Sequence, residues 1–157
     1  MARHAVLRTS YSWEAEGEPR QIVHRQVKLP WSQQDWRGLN AEQQQAALEE
    51  FLAADRARGF DLATPPLLRL SLFILGDDIC QLVSTSHQLL LDGWSAVIVL
   101  QEVAALYQAY ARSENLQLPR RRPFRDYISW LREQNLPGAE QFWRRELRGI
   151  SAPTPLG

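Results

Sequence analysis

The residues best suited to chemistry lie in one run, His87-Gln88-Leu89-Leu90-Leu91-Asp92-Gly93-Trp94-Ser95. An imidazole follows a hydrophobic stretch, an amide sits beside it, and Asp-Gly precedes a long apolar segment. Strand-to-helix turns of this kind hold functional side chains on a rigid scaffold and leave room for a ligand. A histidine placed there can donate or accept a proton near neutral pH. Gln88 can hydrogen-bond but cannot take a proton. On composition alone, a core histidine with its bonds satisfied remains the commoner reading for His87.

Other chemistries find little support. His4 and His24 have no acidic or hydroxyl partner at motif spacing and read as partly exposed strand histidines. Ser86 beside His87 is not a catalytic pair, because neighbours on a strand point to opposite faces. Asp92-Gly93-Trp94-Ser95 is not a Gly-x-Ser-x-Gly elbow. The eight glycines are isolated, so no glycine-rich loop can cradle a phosphate. No His/Asp/Glu cluster has metal-ligand spacing, and no metal is expected. The single cysteine, Cys80, excludes a cysteine-based zinc site and an internal disulfide. Arg120-Arg121-Arg122 reads as a solvated basic loop.

The elements that must position the run can be traced by periodicity. Residues 5–13 and 21–29 read as strands joined by a turn at Glu16-Gly17-Glu18-Pro19, a hairpin with a longer loop. Residues 30–39 read as a loop. Asn40 and Gln43 form a capping-box pair for a helix that ends at Arg58, before Gly59. Leu48, Phe51 and Leu52 give that helix an apolar stripe. Leu68, Leu70, Leu72 and Ile74 recur at period two, which predicts a strand, and residues 79–86 pair with it across Gly76-Asp77-Asp78. The motif follows, then a helix over 95–112 with Ala96, Leu100, Val103, Tyr107 and Tyr110 on one face. Val97, Ile98 and Val99 make its first turns apolar nearly all round, which predicts deep burial. Two more helices are expected over 124–133 and 139–147, separated by Pro137-Gly138. The tail from Ser151 reads as a linker. The succession predicts a mixed α/β layer fold.

The chain has 157 residues, enough for one domain with a substantial core. Eighteen basic and eighteen acidic residues balance, so no large field draws it to nucleic acid or to a membrane surface. There is no stretch of about 18 apolar residues and no signal peptide, so no membrane span is expected. One cysteine agrees with a cytoplasmic location. Six scattered tryptophans suggest anchors for several elements.

Three blocks together resemble a known family. Arg3-His4-Ala5-Val6-Leu7-Arg8-Thr9-Ser10-Tyr11 resembles the RHxxLRTxF motif of condensation domains of nonribosomal peptide synthetases. The run His87 to Ser95 resembles their HHxxxDGWS motif. Phe124-Arg125-Asp126-Tyr127 resembles their Pro-[FY]-x-Asp-Tyr segment. The spacing fits, and the resemblance covers essentially the whole chain.

The resemblance implies a chloramphenicol-acetyltransferase-like half-domain, with a mixed sheet and helices packed on it. A complete domain has two such halves around a tunnel. Peptidyl carrier proteins present thioesters on phosphopantetheine arms from opposite faces, and no cofactor is bound by the domain directly. The second histidine of the motif assists attack of the acceptor amine. Here Gln88 stands at that position, and His87 corresponds to the first, supporting histidine. Loss of a positioned general base costs about 10²–10⁴-fold.

The resemblance also implies residue roles. Asp92 pairs with an arginine, for which Arg3 and Arg8 are the candidates. On physical grounds alone, Gly93 permits a tight turn, Trp94 fixes the loop against the core, and Ser95 caps the following helix through its hydroxyl. The family's opening strand and helix have no counterpart before Arg3, and the C-terminal half has none after residue 150. The expectation is a partial domain over 1–150, a tail over 151–157, and a chain inactive alone. An acyltransfer component completed by a second chain, or a carrier-docking module using the basic loop, are the other readings. Uncovered apolar surface predicts self-association, with a homodimer as one form.

Overall fold

The computed structural model describes residues 1–13, 17, 19–150 and 152. Two compact units are present, Met1–Arg121 and Arg122–Gly157.

In the first unit, β1 (Thr9–Ser12) and β2 (Arg20–Val23) pair antiparallel, with Thr9 opposite Val23. This is the expected hairpin; its turn falls largely outside the described residues. Both strands are shorter than predicted. Ala5–Arg8 forms a 3-10 helix instead of strand. The coil buries Leu7 and lets the Arg8 guanidinium donate to the carbonyls of Met1, His24 and Arg25. An extended segment would not bring those oxygens together.

The second sheet has the order β3-β4-β5. β4 (Leu68–Ile74) is central and pairs antiparallel with β5 (Cys80–Ser86), as the sequence predicts. β3 (Trp31–Asp35) lies parallel to β4, with Trp31 opposite Leu70. That segment was expected to be loop. All five of its side chains are exposed, so it has no apolar alternation to detect. The backbone ladder holds it, helped by the Ser32 hydroxyl donating to Ser71 Oγ at 2.7 Å.

α1 (Ala41–Arg58) has the predicted capping box: the Gln43 amide donates to Asn40 Oδ1 at 2.9 Å, and the Asn40 amide donates to Gln43 Oε1 at 3.0 Å. Gly59 ends it at φ 57°, a conformation that favours glycine. Phe51 meets Phe73 edge-on at 4.9 Å, and Trp36 stacks on the same ring at 4.1 Å. Period two in β4 is therefore real, but the deeply buried face also carries Arg69, Ser71 and Phe73. Leu70, on the other face, packs against the leucine cluster of Leu7, Leu67, Leu68 and Leu90.

α2 (Gly93–Ala111) begins two residues earlier than expected. Its predicted deep burial is not found. Only Glu102 and Ala109 are buried, while Leu100, Val103, Tyr107 and Tyr110 face outward. Apolar composition all round marks a helix suited to burial, yet only one stripe of it is covered here. Of the six tryptophans, only Trp36 is a buried anchor.

In the second unit, α3 (Phe124–Arg132) carries Tyr127 stacked on Trp130 at 5.8 Å. α4 (Leu136–Glu146) starts earlier than predicted. Pro137 sits in its first turn, where the missing N–H costs nothing, and Asn135 caps it through the Gly138 amide at 3.0 Å.

Candidate functional site

β5 delivers the motif. Its ladder continues one residue further, the His87 amide donating to the Leu67 carbonyl at 3.0 Å. The chain then turns: the Leu90 amide donates to the His87 carbonyl at 2.9 Å, and Leu90 is buried in the leucine cluster. The Tyr11 hydroxyl donates to the Leu89 carbonyl at 2.6 Å, so β1 braces the same turn. The Leu89 amide donates to His87 Nδ1 at 3.1 Å. His87 is half-buried; Gln88 is exposed, and its side chain makes no hydrogen bond among the described residues.

Behind His87 stands a connected network. The Phe60 ring meets the imidazole perpendicularly at 6.3 Å, and the Arg69 guanidinium lies over Phe60 at 4.2 Å. Arg69 Nε pairs with Asp55 Oδ1. The Thr85 hydroxyl donates to Asp55 Oδ2 at 2.7 Å, and Arg69 also donates to the Gly59 carbonyl at 2.7 Å. Asp55 and Arg69 are each 8% exposed. The Arg69 hydrogen bond, with help from Thr85, holds the Asp55 carboxyl below its usual range.

The scaffold residues of the motif take roles other than those expected. Among the described residues, Asp92 pairs with no arginine. It is the N-cap of α2, accepting the Ser95 amide at 2.8 Å, and bonding from Ser95 keeps its carboxyl below the usual range. Ser95 is thus the capped residue and not the cap. Trp94 is 82% exposed and anchors nothing. A Cβ added at Gly93 would meet nothing within 4 Å, and its φ is not in the left-handed region, so no tight turn depends on it.

The arginines expected near Asp92 are committed elsewhere. Arg8 serves the three carbonyls named above. Arg3 grips Glu102 with two nitrogens, Nε at 2.7 Å and Nη2 at 3.2 Å. His4 Nε2 lies 2.6 Å from the same carboxylate, and Arg121 Nε donates to it at 3.0 Å. Arg3, then Arg121 and His4, hold Glu102 at a pKa of about 2. Sequence reading missed this cluster because Glu102 lies 98 and 99 positions from His4 and Arg3. One signal was available: Glu102 is the only charged residue in α2. His24 also has a partner, Ser10 Oγ at 2.8 Å, but Ser10 is buried and open to no substrate.

The arrangement offers hydrogen bonding at His87 and Gln88, and among the described residues neither side chain bonds or pairs with an acidic group. Neither of two surface cavities, of about 430 and 240 Å³, is lined by a residue of the run His87 to Ser95. The smaller abuts the site through Phe60 and Arg69. Among the described residues, no group of acidic, histidine and cysteine side chains could hold a metal ion, and no helix is long and apolar enough to cross a membrane.

The profile of the Condensation domain family matches residues 1–156. The chain is 48% identical over 155 residues to one component of linear gramicidin synthase from Brevibacillus parabrevis, covering 99% of this chain and 3% of that protein. It is 36% identical over 154 residues to bacitracin synthase 1 of Bacillus licheniformis, covering 98% of this chain and 3% of that protein. The chain thus spans a few per cent of these relatives' length. Among solved structures, the starter condensation domain of rhizomide synthetase RzmA superposes with a TM-score of 0.80 at 18% identity, over 95% of this chain and 36% of that one. That likeness shows the fold, which is the chloramphenicol-acetyltransferase-like one expected.

Proposed function

The chain belongs to the condensation-domain family of nonribosomal peptide synthetases, and on that premise we propose that it is the motif-bearing part of a peptide-bond-forming domain and is catalytically silent by itself. In the reaction proposed for the whole domain, an acceptor amine attacks a thioester carbonyl. The C–N bond forms, the C–S bond breaks, the amine loses a proton and the donor thiol is released. The substrates arrive on the phosphopantetheine arms of peptidyl carrier proteins. Residues 1–150 are proposed as the N-terminal part of that domain and 151–157 as a linker, in the cytoplasm.

Position 88 is the observation that carries this reading. The place where a base is needed holds an exposed amide, and an amide cannot accept the amine's proton. His87 keeps a supporting role.

The unmodified chain, mixed with aminoacyl-loaded donor and acceptor carriers, should give no dipeptidyl carrier by mass spectrometry. Dipeptidyl product would overturn the reading. In a complete domain carrying this motif, Gln88→His should raise the rate by about 10²–10⁴-fold. No rise would show that position 88 is not the base position.

The outward apolar face of α2 supports the further proposal that the chain self-associates, as a twofold pair. Sedimentation velocity should show a weight-average mass rising with concentration. A single monomer species at high concentration would refute it.

A further inference from the structure

We infer that His87 is held as its Nε2–H tautomer and acts as a hydrogen-bond donor to a carbonyl oxygen, not as a proton acceptor. Nδ1 decides the tautomer. The Leu89 amide donates to it at 3.1 Å. A ring nitrogen that accepts an N–H must carry its lone pair there, so the proton of the neutral imidazole resides on Nε2.

The lock is built into the turn. The donor amide is braced from the next peptide unit, whose Leu89 carbonyl accepts the Tyr11 hydroxyl at 2.6 Å and which leads into the buried Leu90. The His87 backbone is fixed on both sides, its amide to Leu67 at 3.0 Å and its carbonyl to Leu90 at 2.9 Å. The Phe60 ring, itself under Arg69, stands perpendicular to the imidazole and limits ring rotation.

Nε2 has no protein partner among the described residues, and Gln88, the next residue, is exposed. In the neutral ring Nε2 carries the proton. In the cation both nitrogens carry one, and the Leu89 bond breaks. Nε2 therefore donates in either state and offers a lone pair in neither. Its complement is an oxygen with lone pairs. One such ligand is a thioester carbonyl, whose oxygen gains negative charge when an amine adds. The choice of a thioester rests on the proposed function; the tautomer does not.

The test uses the chain with ¹⁵N-labelled histidine and two-bond ¹H–¹⁵N correlation at pH 8, where an ordinary imidazole is neutral. His87→Gln assigns the signals by removing one set. The expected pattern is a pyridine-type Nδ1 and a pyrrole-type Nε2. A pyrrole-type Nδ1, or averaged shifts on both nitrogens, would overturn the inference. Leu89→Pro deletes the donor amide and should give averaged shifts; an unchanged Nε2–H pattern would show that Leu89 is not the lock.

S-acetyl-N-acetylcysteamine is the ligand probe. It should move the His87 Nε2 resonance, and the free thiol N-acetylcysteamine should not. No movement, or equal movement with both, would overturn the thioester assignment. Peptide formation with loaded carriers tests the proposed function separately, so the two can fail independently.

Discussion

Asp92 shows how a side chain with a conspicuous motif position can have a modest energetic role. Its carboxylate is exposed and accepts the Ser95 amide at 2.8 Å. That is a helix cap, and removing such a cap costs about 1 kcal/mol. A broken buried ion pair would cost about 3–5 kcal/mol. Asp92→Ala should therefore lower the unfolding free energy in urea by the smaller amount, and a loss of the larger size would mean that an arginine does reach it. His87 is the contrasting case. The sequence identified it as the residue to watch, but only the turn geometry supplies its Nδ1 partner, two residues on. Arg3 and Arg8 were legible as motif members, not as partners of Glu102 and of backbone carbonyls. Nothing in residue type distinguishes one carboxylate from another at long separation.

At the scale of elements, what could be read was what is local. The capping box at Asn40 and Gln43, the stop at Gly59 and the β4–β5 hairpin all depend on residues close in sequence, and all are present. β3 was illegible because a fully exposed polar strand is defined by its neighbour's ladder and not by its own pattern. The start of α2 could be read to within two residues, but its burial could not. The α1–β4–β5 junction rests on Asp55, whose carboxylate takes bonds from Arg69 of β4 and Thr85 of β5. Asp55→Ala would strand a buried guanidinium, and the expected loss is about 3–5 kcal/mol in urea or thermal unfolding. Thr85→Val removes one neutral donor and should cost distinctly less, about 1 kcal/mol. If both cost the same, the ion pair is not what joins these elements.

At the scale of the whole molecule, Glu102 joins the first residues of the chain, α2 and the segment ending at Arg121. Its carboxyl lies at about 2 in the folded protein against an ordinary 4.5. A depressed carboxylate contributes stability that is complete above pH 4.5 and lost as pH falls through about 2. Denaturation midpoints measured from pH 5 downward should fall across that window in the native chain. The Glu102→Gln variant should be less stable at pH 6 and show a flatter profile below it. Parallel profiles would mean that other carboxylates carry the acid sensitivity. The cluster also has a bearing on time. Its contacts with His4 and Arg3 join positions 98 and 99 apart in sequence, whereas the β4–β5 hairpin closes locally. Loops of that length close after the short ones, since their closure entropy must be met before the contact rewards it. Interactions that form after the folding barrier slow unfolding and leave the folding rate nearly unchanged. Glu102→Gln is therefore expected to speed unfolding and leave the folding rate nearly unchanged, which stopped-flow folding and unfolding rates check; a slower folding rate would mean that the cluster forms early.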